Sequence, residues 1–231
     1  MGDSPVQPDP AATVIVLRPA NSKFELLMVR RLDRGAFAGL VVFPGGRVDR
    51  VDGSHLARTV VTSGGPDHPF RAAALRELAE ETGMLAAPGG LVPAPALRDE
   101  ALYLAVNGRG QRFDGSSLVL ISRWVTPAMA KRRFDTWFYL LATSGNPDVR
   151  LDQAELTDHA WVTPLKALDR YKKGEWPMIL PTLAHLRWLS RRDSIDDALA
   201  SASGADGRTL IEPRLMDDGS LMPVHLPADP S

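Results

Sequence analysis

Arg76-Glu77-Leu78-Ala79-Glu80-Glu81-Thr82-Gly83-Met84 is the stretch that decides the fold of this 231-residue chain. At about 100° per residue, a helix puts Glu80 about 60° to one side of Glu77 and Glu81 about 40° to the other. Three carboxylates then share one narrow face. Leu75, Leu78, Ala79 and Thr82 fall on the far side, where they can pack against a sheet. Like charges at i, i+3 and i+4 disfavour an isolated helix by about a few tenths of a kcal/mol per pair. Two readings follow: a solvated acidic face, or a face whose charge is compensated by Arg76 and by divalent cations. Hard cations such as Mg²⁺ select oxygen ligands and bridge carboxylates to substrate phosphates.

Outward from this segment, the helix should run from about Phe70 to Thr82 and stop at Gly83. Upstream, Leu40 to Phe43 reads as a short strand closed by Pro44-Gly45-Gly46, where backbone can approach another group closely. Ala11 to Leu17 is a nearly continuous apolar run, expected of a strand buried on both faces. Phe24 to Val29 reads as its hairpin-like partner. Residues 47–69 are polar and rich in glycine and proline, and are expected to form an inserted loop. Downstream, a helix is expected from Ala94 to Val106 and strands at Leu118–Trp124, Phe134–Ala142 and about Ala160–Val162. Thr163–Tyr171 and Ile179–Arg191 read as helices.

The expected organisation is a disordered tail over residues 1–10, a domain over 11–200 and a C-terminal extension over 201–231 with a small hairpin turning at Asp218-Gly219. Strands and helices alternate without clean βαβ periodicity, so the fold class is α/β with a mixed sheet flanked by helices.

Composition narrows the function. The formal net charge of −1 exerts no global pull on nucleic acid or an anionic membrane, so a polyanion must be held by a local site. With no cysteine there is no disulfide framework, thiolate zinc site or cysteine nucleophile. The five histidines lack HExxH spacing, and no GxxxxGK occurs. The start lacks the pattern of a secretory signal, and no run approaches the ~20 apolar residues of a membrane span. The expectation is a cytoplasmic protein with no specific nucleic-acid binding and no membrane association.

The pattern R-E-L-A-E-E-T-G-M resembles the second half of the Nudix box, REUxEExGU with U aliphatic. Phe43-Pro44-Gly45-Gly46 is similar to the approach to its first glycine. That family places its arginine 14 positions after the glycine, with a glutamate between them. Here 30 positions separate Gly46 from Arg76, so 16 residues are extra. Counting back eight from Arg76 lands on His68, so in that register the box's first glutamate is missing. A surface insertion costs little closure entropy.

Arg133-Phe134-Asp135-Thr136-Trp137-Phe138-Tyr139, preceded by Trp124-Val125-Thr126-Pro127, is similar to the branch containing peroxisomal coenzyme A diphosphatases, which also carries a long insertion inside its box. Trp161-Val162-Thr163-Pro164 resembles the stretch after the last sheet strand of Nudix proteins. The likeness covers about residues 11–190.

This resemblance implies an α/β/α sandwich in which Glu77, Glu80 and Glu81 bind Mg²⁺ or Mn²⁺ with help from the carbonyl of Gly46. Arg76 would orient the glutamates. The general base would come either from the box helix or from a later loop, where Glu155 is the candidate for a further ligand or the base, or else an ordinary loop carboxylate. The substrate would be a nucleoside diphosphate linked to another group. Leu26 to Arg31 partly resembles the upstream motif of coenzyme A diphosphatases, which points to coenzyme A or an acyl derivative, with Arg30, Arg31, Phe43 and Gly45 contacting it. Arg30, Arg31 and Arg34 either meet extra phosphates or are solvated strand-end arginines. NADH, ADP-ribose, nucleotide sugars and nucleoside triphosphates stand as alternatives, as does a Nudix module that senses a nucleotide without cleaving it. Members of the family are often dimers, so the tail beyond Ala200 either packs on its own domain or reaches a partner.

Overall fold

Strand β1 (Asp9–Ala20) is the spine of the molecule. Its apolar run is nearly continuous because both faces are covered: Ala12, Val14 and Val16 enter one core, Ile15 and Leu17 the other. The computed structural model describes residues 6–21, 23–34, 38–63, 65–144, 148–213 and 225–229. β1 begins within the stretch expected to be a tail, because Asp9 and Pro10 already pair with Phe134 and Asp135.

β1 pairs antiparallel with β2 (Lys23–Arg31) and parallel with β8 (Phe134–Ala142). The sheet runs β10 (Leu210–Ile211), β7 (Val119–Val125), β8, β1, β2, β3 (Val41–Val42). Two further strands join it: β4 (Gly45–Arg47) on β1, and β9 (Leu156–Val162) on β2. The β1–β8 and β10–β7 pairs are parallel and the others antiparallel, so the sheet is mixed.

One face is covered by α1 (His55–Val60), α2 (His68–Thr82) and α3 (Asp99–Gly108), the other by α4 (Pro164–Lys172), α5 (Leu180–Ser190) and α6 (Ile195–Ser203). This is the α/β/α sandwich. Helix α2 ends where its sequence says it should: Gly83 takes the left-handed φ of 68° and its N–H closes on the Ala79 carbonyl.

Two local expectations change, and two further features are added. Residues 47–69 are not a structureless loop but hold β4's last residue, a 3-10 turn over Arg50–Gly53, helix α1 and the start of α2. The helix expected from Ala94 begins at Asp99. Met84–Ala87 and Gly90–Pro93 form a hairpin instead (β5 and β6), and Pro93 and Pro95 keep the intervening backbone extended. Helix α6, started by the Ser194 hydroxyl accepting the Asp197 N–H, was not foreseen. The described residues of the extension pack on their own domain: β10 lengthens the sheet beside β7, Leu226 is buried, and Trp188 Nε1 donates to the Ala228 carbonyl at 3.0 Å. The turn expected at Asp218-Gly219 lies outside the described residues. Among those residues no helix is long and apolar enough to cross a membrane.

One buried polar chain crosses the second core. Trp124 Nε1 donates to Ser122 Oγ (3.0 Å), which stands 2.7 Å from His185 Nε2; His185 Nδ1 stands 2.6 Å from the Pro181 carbonyl. A carbonyl only accepts, so Nδ1 carries the proton and Nε2 accepts from Ser122. The imidazole is fully buried and neutral, and burial pushes it down to about 4. An unfolded histidine titrates near 6.5, so between these values the unfolded chain binds a proton that the folded chain refuses. Stability should therefore fall as pH drops from about 6.5 toward 4, by on the order of 3 kcal/mol from this residue alone. Urea titrations at pH 7 and pH 4.5 should show the larger loss in wild type and a smaller one in His185→Gln. Equal acid sensitivity in the two would remove the assignment.

Candidate active site

The site forms where α2 meets β4. Gly45 and Gly46 are needed there for different reasons. At Gly45, φ is +156°, and a Cβ would stand 2.4 Å from the Ala12 carbonyl and 2.7 Å from Thr13 Cα. At Gly46 a Cβ would stand 2.4–2.8 Å from the carboxylate of Glu77. The first obstacle is backbone and the second is the tip of a side chain. Gly45→Ala should thus cost about 1–3 kcal/mol by overpacking. Gly46→Ala should cost under ~1 kcal/mol, because Glu77 can swing aside, yet lower turnover at least ~10-fold by displacing it. Melting curves and initial rates on the two variants separate these outcomes, and equal damage to stability would refute the distinction.

The carboxylates are far less solvated than a surface acidic helix would leave them. Glu81 is 1% exposed and accepts the Gly45 N–H at 3.0 Å. Burial, then the adjoining Glu77, hold its carboxyl well above the usual range. Glu77 is pushed up to about 7 by burial, with Arg76 opposing and Glu80 adding to the rise. Glu80 is raised by burial too, and accepts the Asp99 N–H at 2.6 Å. Asp99 is the one non-glycine residue with a left-handed backbone (φ 50°) among the described residues, so strain is stored where that N–H meets Glu80.

Arg76 organises the cluster. It is 1% exposed, and its Nη1 bonds Glu77 Oε1 (3.0 Å) and Glu80 Oε2 (3.1 Å). Its other nitrogens grip Asp52, with Nε to Oδ1 at 2.9 Å and Nη2 to Oδ2 at 3.1 Å, and Nη2 also donates to the Arg47 carbonyl. Asp52 is wholly buried and accepts from Tyr103 Oη and the Asp49 N–H, both at 2.8 Å. Sequence reasoning missed Asp52. Counted forward from Gly46 instead of back from Arg76, five residues separate the glycine from Asp52, so an acid does stand at the family's glutamate position. The 16 extra residues therefore fall between Asp52 and Arg76, as α1 and its connection to α2.

A chain of ion pairs continues to Glu155. Arg31 lies 3.6 Å from Glu81 and 3.9 Å from Glu155, and Arg98 bonds Glu155 at 2.8 Å and also Asp152. Sequence reasoning missed Arg98, which falls inside the helix expected from Ala94 and in the structure stands just before α3. Arg31, Phe43, Gly45, Gly46, Arg76, Glu77, Glu80 and Glu155 all border a cleft of about 990 Å³. Glu81 lies just behind it. Arg30 does not border it: its guanidinium donates to the carbonyls of Glu175 (2.9 Å) and Gly39 (3.4 Å). Arg34 likewise donates to the Ala154 carbonyl.

As the side chains stand, no group of three or more acids or histidines among the described residues converges as a cation cage. The glutamates are turned onto Arg76, Arg31 and backbone N–H groups, which compensate their charge. Their chemistry still fits a hard cation: three clustered oxygen donors, largely removed from water, beside a glycine that lets a carboxylate lie against backbone. The cleft floor crosses β4, β1 and β8 and ends on apolar surface from Trp124, Phe134, Phe138 and Leu180.

Comparison with known proteins agrees with this arrangement. The NUDIX domain family matches residues 7–180. A NUDIX hydrolase from Alicyclobacillus acidocaldarius superposes with a TM-score of 0.72 at 33% identity, covering 84% of this chain and 96% of that one. Putative nudix hydrolase 7 of Caenorhabditis elegans is 26% identical over 78% of this chain and 60% of its own length. The acyl-coenzyme A diphosphatase NUDT19 of Gallus gallus is 28% identical over 75% of this chain and 63% of its own. The chain thus spans somewhat over half the length of these two curated relatives. With the sandwich fold, the glycine-bordered acidic helix and these matches in agreement, the chain belongs to the Nudix hydrolase family.

Proposed function

We propose that this protein is a Mg²⁺- or Mn²⁺-dependent diphosphatase that cleaves the phosphoanhydride of a nucleoside diphosphate linked to another group, with coenzyme A or acyl-coenzyme A as the favoured substrate. One observation carries the chemistry: Glu77 and Glu80 border a cleft large enough for such a molecule, Glu77 lying against Gly46, while Glu81 on the same face of α2 accepts the Gly45 N–H just behind the wall. Glu77, Glu80, Glu81 and the Gly46 carbonyl would hold the cation, which when bound supplies charge neutralisation of the diphosphate and a more acidic attacking water.

The chain's own groups do the rest. Arg76 fixes Glu77 and Glu80 from behind, and the Gly45 N–H fixes Glu81. Arg31 is placed to meet substrate oxygens once they compete for it with Glu81 and Glu155. Either Glu81 or Glu155 takes the proton of the attacking water. The water oxygen bonds one phosphorus as that phosphorus loses the bridging oxygen, which departs with the electron pair on the other phosphate, so each half of the substrate keeps one phosphate of the former anhydride. The coenzyme A preference rests on the likeness to the acyl-coenzyme A diphosphatase named above.

A hydrolysis screen with Mg²⁺ and Mn²⁺ tests this, using coenzyme A, acyl-coenzyme A, NADH, ADP-ribose and nucleoside triphosphates with products read by mass. Adenosine 3′,5′-bisphosphate and a phosphopantetheine from coenzyme A are the expected products. Cleavage of another diphosphate alone would keep the chemistry and discard the substrate. Metal-induced stabilisation without turnover of any of them would leave a sensor.

A further inference from the structure

Beside Arg76, four arginines border the cleft: Arg31, Arg47, Arg98 and Arg132. Arg31 and Arg98 are engaged with Glu81, Glu155 and Asp152. Arg47 and Arg132 are exposed and form no ion pair among the described residues. A guanidinium that borders a substrate cleft without a carboxylate partner is available to an anionic ligand.

The two stand at different places on the floor. Arg47 follows Gly46 in β4 and pairs with Ala11 of β1, next to the glutamate cluster. Arg132 leads into β8, whose first residue Phe134 pairs with Asp9 at the other edge of β1. From β4 across β1 to β8 is two strand spacings, roughly 10 Å. A single diphosphate beside the glutamates accounts for Arg47 and leaves Arg132 over. The corner around Arg132 also holds the Asp9 carboxylate, which forms no ion pair with it, and the half-buried ring of Phe134. Such a corner suits a ligand that brings an anion and a hydrogen-bond donor together, as a phosphorylated ribose does. Of the arginines that the sequence offered for an extra phosphate, Arg30 and Arg34 are spent on backbone carbonyls, and Arg31 stands beside the glutamates, where the diphosphate itself would meet it.

We propose that Arg47 and Arg132 divide the phosphates of one nucleotide between them, Arg47 facing the diphosphate and Arg132 reading a second phosphate on the ribose, over β8. The assignment rests on the diphosphatase reading above and narrows its substrates to ribose-phosphorylated ADP derivatives, the class to which coenzyme A belongs. It also fixes direction: the nucleotide lies across β1 toward β8.

The test compares coenzyme A with dephospho-coenzyme A in wild type, Arg132→Ala, Arg132→Lys and Arg47→Ala. In Arg132→Ala the ratio of the two kcat/KM values should fall about tenfold, the scale of one charge-assisted contact, with the loss in KM. Arg132→Lys should retain part of the preference. Arg47→Ala should weaken both substrates alike and leave the ratio in place. An unchanged ratio in Arg132→Ala overturns the proposal. Calorimetric titration with adenosine 3′,5′-bisphosphate and with AMP asks the same question without turnover. Wild type should favour the bisphosphate about tenfold and Arg132→Ala should not. No preference in wild type overturns the assignment even if coenzyme A is cleaved. A preference that depends on Arg132, in a protein that cleaves neither coenzyme, keeps it while the diphosphatase reading falls.

Discussion

Glu81→Gln should lower turnover at least ~10²-fold and at the same time raise the melting temperature of the metal-free protein. The two effects share one cause. Glu81 is buried against Glu77, and its ionised form is disfavoured first by lost hydration and then by that neighbour. Glutamine removes the charge but keeps an oxygen for the Gly45 N–H that now bonds Glu81 at 3.0 Å. The substitution therefore relieves the fold while deleting a proposed cation ligand and a candidate base. Mg²⁺ or Mn²⁺ should stabilise wild type by mass action and the variant much less. Near wild-type rates in the metal-saturated variant would sink the functional assignment. A lower melting temperature without metal would instead mean that the contact with Arg31 outweighs burial.

Arg76→Ala should produce the largest loss of stability, about 3–5 kcal/mol, because it strands a buried carboxylate. Asp52 is wholly buried and both its oxygens are held by Arg76, with only Tyr103 and the Asp49 N–H remaining. Glu77 and Glu80 would lose their shared cation as well. Lysine should not rescue, since one ammonium cannot serve acceptors on opposite sides of a planar guanidinium. Urea midpoints give the measurement. The double variant with Asp52→Ala should be less damaged than the sum of the two singles, with a coupling of about 1–3 kcal/mol. A loss below ~1 kcal/mol for Arg76→Ala would show that Arg76 is dispensable as the cluster's counter-charge.

What the sequence by itself determined is what is local in the chain. The acidic face of α2 follows from a 3.6-residue period, and its end from one glycine that can adopt a left-handed φ. The double-sided burial of β1 shows as a nearly continuous apolar run, and β8 was legible from end to end, Phe134–Ala142. These signals lie within a few residues of one another, so no tertiary contact is needed to read them.

Tertiary structure alone decided which charged groups meet. The pairing of Asp52 with Arg76 spans 24 positions and a helical insertion, and neither residue's neighbours announce it. Nor could spacing reveal that Glu81 would be sealed under the glycine strand while Asp99 strains its backbone to reach Glu80. Adjacent Arg30 and Arg31 look equivalent in sequence, yet one serves backbone carbonyls and the other the glutamates. Successive strand residues point to opposite faces, and the β2–β9 ladder also shifts register between these two. Which arginine enters the cleft is therefore set by how β2 is seated among its neighbours, a property of the assembled sheet that no window along the chain contains.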